Sequence, residues 1–136
     1  MKNILLIDDD PIFVYLMRRI INSTSYSCEI NEFTDGELAI NYLNGIHDKT
    51  ELLPDLIFLD LSMPVMDGWE FLKEYSRLRP GIKKNVTLFI VSSSISPQEV
   101  ERAKTFRAVK DFLIKPLGKA KVIEIIGNLI EAAPGK

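Results

Sequence analysis

The sequence predicts an α/β fold: a doubly wound parallel sheet of five strands alternating with five helices. Three observations carry this. Apolar runs at residues 4–7, 56–59 and 86–91 are nearly continuous, as suits strands covered on both faces, and weaker runs at 28–33 and 112–114 make five. Between successive runs lie stretches with apolar residues at helical spacing, each long enough for the crossover that parallel pairing requires. Finally, 136 residues is the length of one domain with a core of its own. The whole of 1–136 therefore reads as a single domain with no further module, and residues 132–136 as a frayed tail.

Each element has a local reason. The first strand, Ile4-Leu5-Leu6-Ile7, ends on Asp8-Asp9-Asp10. Asp10-Pro11 is a helix start, with Asp as cap and Pro at the first helical position. Phe13, Leu16, Met17, Ile20 and Ile21 mark the buried face of that helix. Residues 22–27 form a polar turn before the second strand, whose partial alternation predicts one less buried face. Thr34-Asp35-Gly36-Glu37 has the spacing of a capping box, and Ala39, Tyr42 and Leu43 line the following helix.

Residues 44–54 read as a long polar loop holding the only histidine, His47, as a solvated residue. The third strand, residues 56–59, runs into Asp60. Met63-Pro64 cannot continue a sheet, and Asp67-Gly68-Trp69-Glu70 starts another helix, with Phe71, Leu72, Tyr75 and Leu78 on one side. Trp69 and Tyr75 read as packing residues rather than a partner surface. Arg79-Pro80-Gly81 stops the helix.

The fourth strand leads to Ser92-Ser93-Ser94. Ser96-Pro97-Gln98-Glu99 is another capping box, with Val100, Ala103 and Phe106 facing inward. The fifth strand ends at Lys115-Pro116, where a cis bond is expected because the Lys must turn back over the strand ends. Val122, Ile125, Ile126, Leu129 and Ile130 define the last helix.

Composition removes several functional classes. Net charge is −2 and no basic run occurs, so nucleic acid is not an expected partner. Cys28 is the only cysteine, which excludes an internal disulfide and a cysteine-based metal cluster; it reads as a small core residue. No apolar run approaches a membrane span, and the N-terminal run is too short for a signal peptide. The expectation is a cytoplasmic protein that does not engage a membrane.

For five strands the order 2-1-3-4-5 places the first and third in the middle. Their carboxyl ends then carry Asp8, Asp9 and Asp60; those of the fourth and fifth carry Ser92 and Lys115. Carboxylates so close repel one another unless a hard cation balances them, and Mg²⁺ is the usual choice beside phosphate. Lys115 supplies a point charge and Ser92 a hydroxyl donor. A metal, an Asp nucleophile and two groups for the remaining oxygens are equipment for phosphoryl transfer.

I-D-D after the first strand, L-D-L-S-M-P-V-M-D-G after the third, V-S-S after the fourth and K-P after the fifth resemble the receiver domain of a two-component response regulator, of the single-domain chemotaxis type, over essentially the whole chain. The resemblance implies that Asp60 accepts a phosphoryl group from the phosphohistidine of a histidine kinase or phosphotransfer protein. It implies Mg²⁺ on Asp9, Asp60 and the main-chain carbonyl of Ser62, with Asp8 assisting through water. Lys115 would pair with the phosphoryl group and Ser92 would hydrogen-bond it, with Ser92 and Phe112 forming a switch. Signalling would pass to a downstream effector protein through the surface of the fourth helix, fifth strand and fifth helix, or the phosphoryl group would be handed on. Slow self-dephosphorylation, not turnover, is implied.

The chain departs from that pattern in having Ser for the commoner Thr at 92, Phe for the frequent Tyr at 112, and Arg107-Ala108-Val109-Lys110 where a Gly-Ala pair is frequent. The alternative is an Mg²⁺-dependent phosphatase with an Asp nucleophile, since Asp8-Asp9-Asp10 contains a D-x-D; Ile12 stands where such hydrolases usually have Thr. A flavin domain of the same topology would need a phosphate loop, which three carboxylates would repel.

Overall fold

The computed structural model describes residues 1–94 and 96–131; the expected fraying of 132–136 lies outside them. The elements are β1 (Lys2–Ile7), α1 (Pro11–Asn22), β2 (Cys28–Phe33), α2 (Gly36–Ile46), β3 (Leu56–Leu59), α3 (Gly68–Leu78), a 3-10 turn at Arg79–Gly81, β4 (Thr87–Ser92), α4 (Pro97–Lys104), β5 (Val109–Ile114) and α5 (Lys119–Glu131). The strands form one parallel sheet in the order β2-β1-β3-β4-β5, as expected for right-handed crossovers.

Alternate side chains of each strand face opposite layers. Ile4 and Leu6 join Phe13, Met17 and Ile21 of α1 and Val122, Ile125 and Ile126 of α5. Leu5 and Ile7 join Leu43 of α2 and Phe71, Leu72 and Tyr75 of α3. All four residues of β3 are buried, which is why that run has no polar member. Truncating Leu6, fully buried, to Ala would cost about 2–5 kcal/mol.

Several boundaries differ from expectation. Thr34 does not cap α2: Asp35 does, accepting from the Leu38 amide at 3.0 Å. The helix continues to Ile46, so the loop begins at His47 and is shorter than the sequence implied. The loop is tied down. Asn3 donates to the carbonyls of Glu51 and Leu53, Lys84 donates to Leu53 at 2.7 Å, and Leu53 is fully buried. On α1, Leu16 is exposed and Val14 takes its place in the core. Cys28 is only half-buried, and Phe106 lies past the end of α4. β4 starts and ends one residue later than its apolar run, and β5 extends back to Val109 with a register shift at Leu88/Phe89.

The helix caps at Asp10, Asp67 and Ser96 are as read. Asp67 and Glu70 form both halves of the capping box, whereas at Ser96 only the hydroxyl half is formed, to the Glu99 amide at 3.1 Å. Among the described residues no helix is long and apolar enough to cross a membrane.

Candidate functional site

Pairing of Ile7 with Leu59 puts the next residues of β1 and β3, Asp8 and Asp60, side by side at the carboxyl edge. The Asp8 amide donates to the Phe33 carbonyl and the Asp60 amide to the Ile7 carbonyl, both at 2.9 Å, which extends the sheet by one residue under each carboxylate. Asp8 and Asp60 are buried and Asp9 is exposed; one carboxylate oxygen of each lies within 4.8 Å of the others. Sequence reasoning placed these three together, and so does the fold.

Lys115 reaches this cluster from the end of β5, where the Lys115-Pro116 bond is cis and the Lys115 amide donates to the Ser92 carbonyl at 2.8 Å. Its Nζ stands 2.9 Å from Asp8 Oδ2, 3.8 Å from Asp60 Oδ1 and 3.9 Å from Asp10 Oδ2. The contact with Asp8 is ionic: Oδ2 makes no hydrogen bond of proper geometry, while Oδ1 accepts from the Asp10 amide at 2.9 Å. The ring of Phe13 lies 4.6 Å from the ammonium, adding a cation–π attraction.

One ammonium cannot balance three carboxylates. Burial, then the neighbouring Asp8 carboxylate, pushes Asp60 up to about 6, against the opposing pull of Lys115. Burial also raises Asp8, partly offset by the Asp10 amide and Lys115. The site is thus an anionic oxygen cluster short of positive charge.

The other expected members are near but less engaged. Ser92, buried at the end of β4, accepts from the Ser94 amide at 3.4 Å. Ser62 is exposed, and no hydrogen bond among the described residues claims its carbonyl. Phe112 is half-buried against the α2–α3–α4 layer. It pairs with Ile90, two residues before Ser92.

Two glycines hold the Asp60 loop in place. A Cβ on Gly68 would sit 2.5 Å from the Asp60 carbonyl, so only glycine lets α3 begin against the end of β3; the Gly68 amide donates to Leu61 at 3.0 Å. The Gly36 amide donates to the Met66 carbonyl at 2.9 Å, and a Cβ there would meet that same oxygen. Between them Val65 has φ 66, rare for a β-branched residue. The sequence showed both glycines as parts of helix starts but not their approach to another loop. Phe13 and Asp10 were likewise visible as core and cap, not as neighbours of Lys115.

The family model for the response regulator receiver domain matches residues 4–127. The chain belongs to the response regulator receiver family. This receiver is 27% identical to the chemotaxis protein CheY of Thermotoga maritima, over 94% of this chain and 97% of that one. A two-component response regulator from Cytophaga hutchinsonii superposes with a TM-score of 0.84 at 29% identity, covering 96% of this chain and 98% of that one. A CheX–CheY–BeF₃–Mg²⁺ complex from Borrelia burgdorferi gives 0.75 at 26%, covering 95% of this chain and 89% of the CheY-type chain. As a receiver, the chain is a signalling domain of two-component phosphorelay, of a kind that interacts with histidine kinases and effectors.

Proposed function

We propose that Asp60 is the phosphoacceptor of a cytoplasmic phosphorelay step. The observation that carries this is its burial at the end of β3, between Asp8, Asp9 and Lys115, in a cluster with too little positive charge. At neutral pH Asp60 is mainly ionised even with its pKa pushed up to about 6. Its carboxylate oxygen attacks the phosphorus of a phosphohistidine; the new O–P bond forms as the P–N bond breaks, and the imidazole nitrogen leaves with the electron pair and takes up a proton.

The donor set fits Mg²⁺: hard oxygens, the Asp8 Oδ2 without a hydrogen bond, and the unclaimed Ser62 carbonyl. Asp9, Asp60 and the Ser62 carbonyl would hold the ion directly and Asp8 through water. Bound there, Mg²⁺ supplies positive charge to the phosphoryl oxygens. Lys115 swings from Asp8 to a second oxygen and the Ser92 hydroxyl donates to a third. As Ser92 moves, Phe112 fills the space behind it, and the surface of α4, β5 and α5 presents the change to an effector protein. Loss of the phosphoryl group to water is slow and single-turnover.

The phosphatase alternative is disfavoured by Asp10, the second Asp of its D-x-D. Asp10 Oδ1 accepts from the amides of Ile12 and Phe13 as the cap of α1 and so is committed to the fold.

Treatment with acetyl phosphate and Mg²⁺, followed by peptide mapping, should put one phosphoryl group on Asp60 and none on the Asp60→Asn variant. Undiminished labelling of that variant would sink the assignment.

A further inference from the structure

At the opposite edge of the sheet, below the amino ends of β4 and β5, the charge reverses. From Tyr75 to Gln98 the chain has four cations, Arg77, Arg79, Lys83 and Lys84, and no carboxylate; from Arg102 to Lys110 it again has cations and no carboxylate. The fold brings these stretches together around a cleft of about 620 Å³ between the 3-10 turn after α3 and the turn joining α4 to β5. Arg79 and Arg107 stand on its rim, both exposed, and neither makes an ion pair among the described residues. Lys84 also lines it, but its ammonium is held by Asp55 at 3.3 Å and by the Leu53 carbonyl. The floor is apolar, from Ile82, Phe106 and Ala108.

We propose that this cleft binds an acidic peptide segment of a partner protein, its carboxylates paired with Arg79 and Arg107 and an apolar side chain seated on Ile82, Phe106 and Ala108. Guanidinium groups are suited to carboxylates because their paired N–H donors match both oxygens, and recognition of acidic motifs by arginine clusters recurs. Charge complementarity selects this occupant. The chain as a whole has net charge −2, so the attraction is local to the cleft rather than a general affinity for polyanions. Nucleic acid calls for a longer basic stripe. A lipid surface calls for exposed apolar side chains, and the large apolar residues that line the cleft, Ile82 and Phe106, are not exposed. The cleft lies at the amino ends of β4 and β5, whereas Asp60 follows the carboxyl end of β3, so the two sites are at opposite edges of the sheet.

The test uses a labelled pentapeptide, a leucine flanked on each side by two glutamates, titrated against the full chain at low salt. Amide shifts on binding should centre on Ser76, Arg79, Ile82 and residues 105–108. Arg79→Gln/Arg107→Gln should weaken binding about tenfold or more, whereas Lys73→Gln/Lys119→Gln, with the same charge change, should not. A glutamine-for-glutamate peptide should fail to bind. Shifts elsewhere, equal weakening by both double variants, or tighter binding there of a single-stranded oligonucleotide or an anionic vesicle would overturn the proposal. Because the mapping is done on the wild-type chain, it decides the matter even if a variant folds poorly.

Discussion

Asp60 is ionised in the folded chain at neutral pH although its surroundings favour the proton: burial first, and the Asp8 carboxylate next, push it up to about 6 from an ordinary 3.8. The folded chain therefore binds more protons than the unfolded chain between those values, and stability falls as pH rises through that window. A shift of about two units corresponds to about 3 kcal/mol at most, since water and counter-ions soften it. Asp60→Asn should accordingly raise the melting temperature at pH 7 without divalent ions. Added Mg²⁺ should narrow the gap, because only the wild type gains a bound cation. An Asn variant less stable than wild type at every Mg²⁺ concentration would mean that the carboxylates do not strain the fold. Asp8, Asp9, Asp60 and Lys115 were legible in the sequence because each lies within two residues of the end of an apolar run, and a parallel sheet gathers such positions at one edge. Val65 was not: its positive φ belongs to a three-residue turn in which the Met66 amide donates to the Pro64 carbonyl at 2.7 Å, and the Met66 carbonyl is in turn held by the amide of Gly36, a residue distant in sequence.

Among the elements, the helix starts were read well and the boundaries less so, because a side-chain cap is a local choice while helix length is decided by neighbours. Thr34 and Asp35 compete for one cap, and burial of Asp35 against the Met66 loop settles it. α2 runs on to Ile46 because Ile46 is buried in the core. β5 gains Val109–Asp111 from pairing with β4, although that stretch is too polar to register as a strand by itself. The caps of α3 and α4 differ in a measurable way. Asp67 receives the Glu70 amide at 2.9 Å and Glu70 returns a bond to the Asp67 amide at 3.0 Å; Ser96 forms one bond only. Asp67→Ala should cost about 1–2 kcal/mol in urea denaturation and Ser96→Ala about 0.5–1 kcal/mol. Equal losses would show that the reciprocal Glu70 bond adds nothing.

For the molecule as a whole, strand number, order and parallel sense followed from five apolar runs separated by crossovers. The tie between the loop after α2 and Lys84 did not, since Asn3, Asp55 and Lys84 lie far apart in the chain and meet only when β1, β3 and β4 align. The same alignment sorts charge along the strands. Asp8, Asp9, Asp10, Asp35, Asp60 and Asp67 gather where strands end and helices begin; Arg79, Lys83, Lys84 and Arg107 gather at the far edge. A net charge of −2 conceals this separation. The aspartate cluster and the cleft at Arg79 and Arg107 are patches of opposite sign at opposite ends of the strands, so each draws a partner of complementary charge toward its own edge before contact. Collisions are then pre-oriented rather than random, and their productive fraction falls as salt shortens the reach of that field. Which edge meets which partner is thus biased at a distance by the direction in which the strands run.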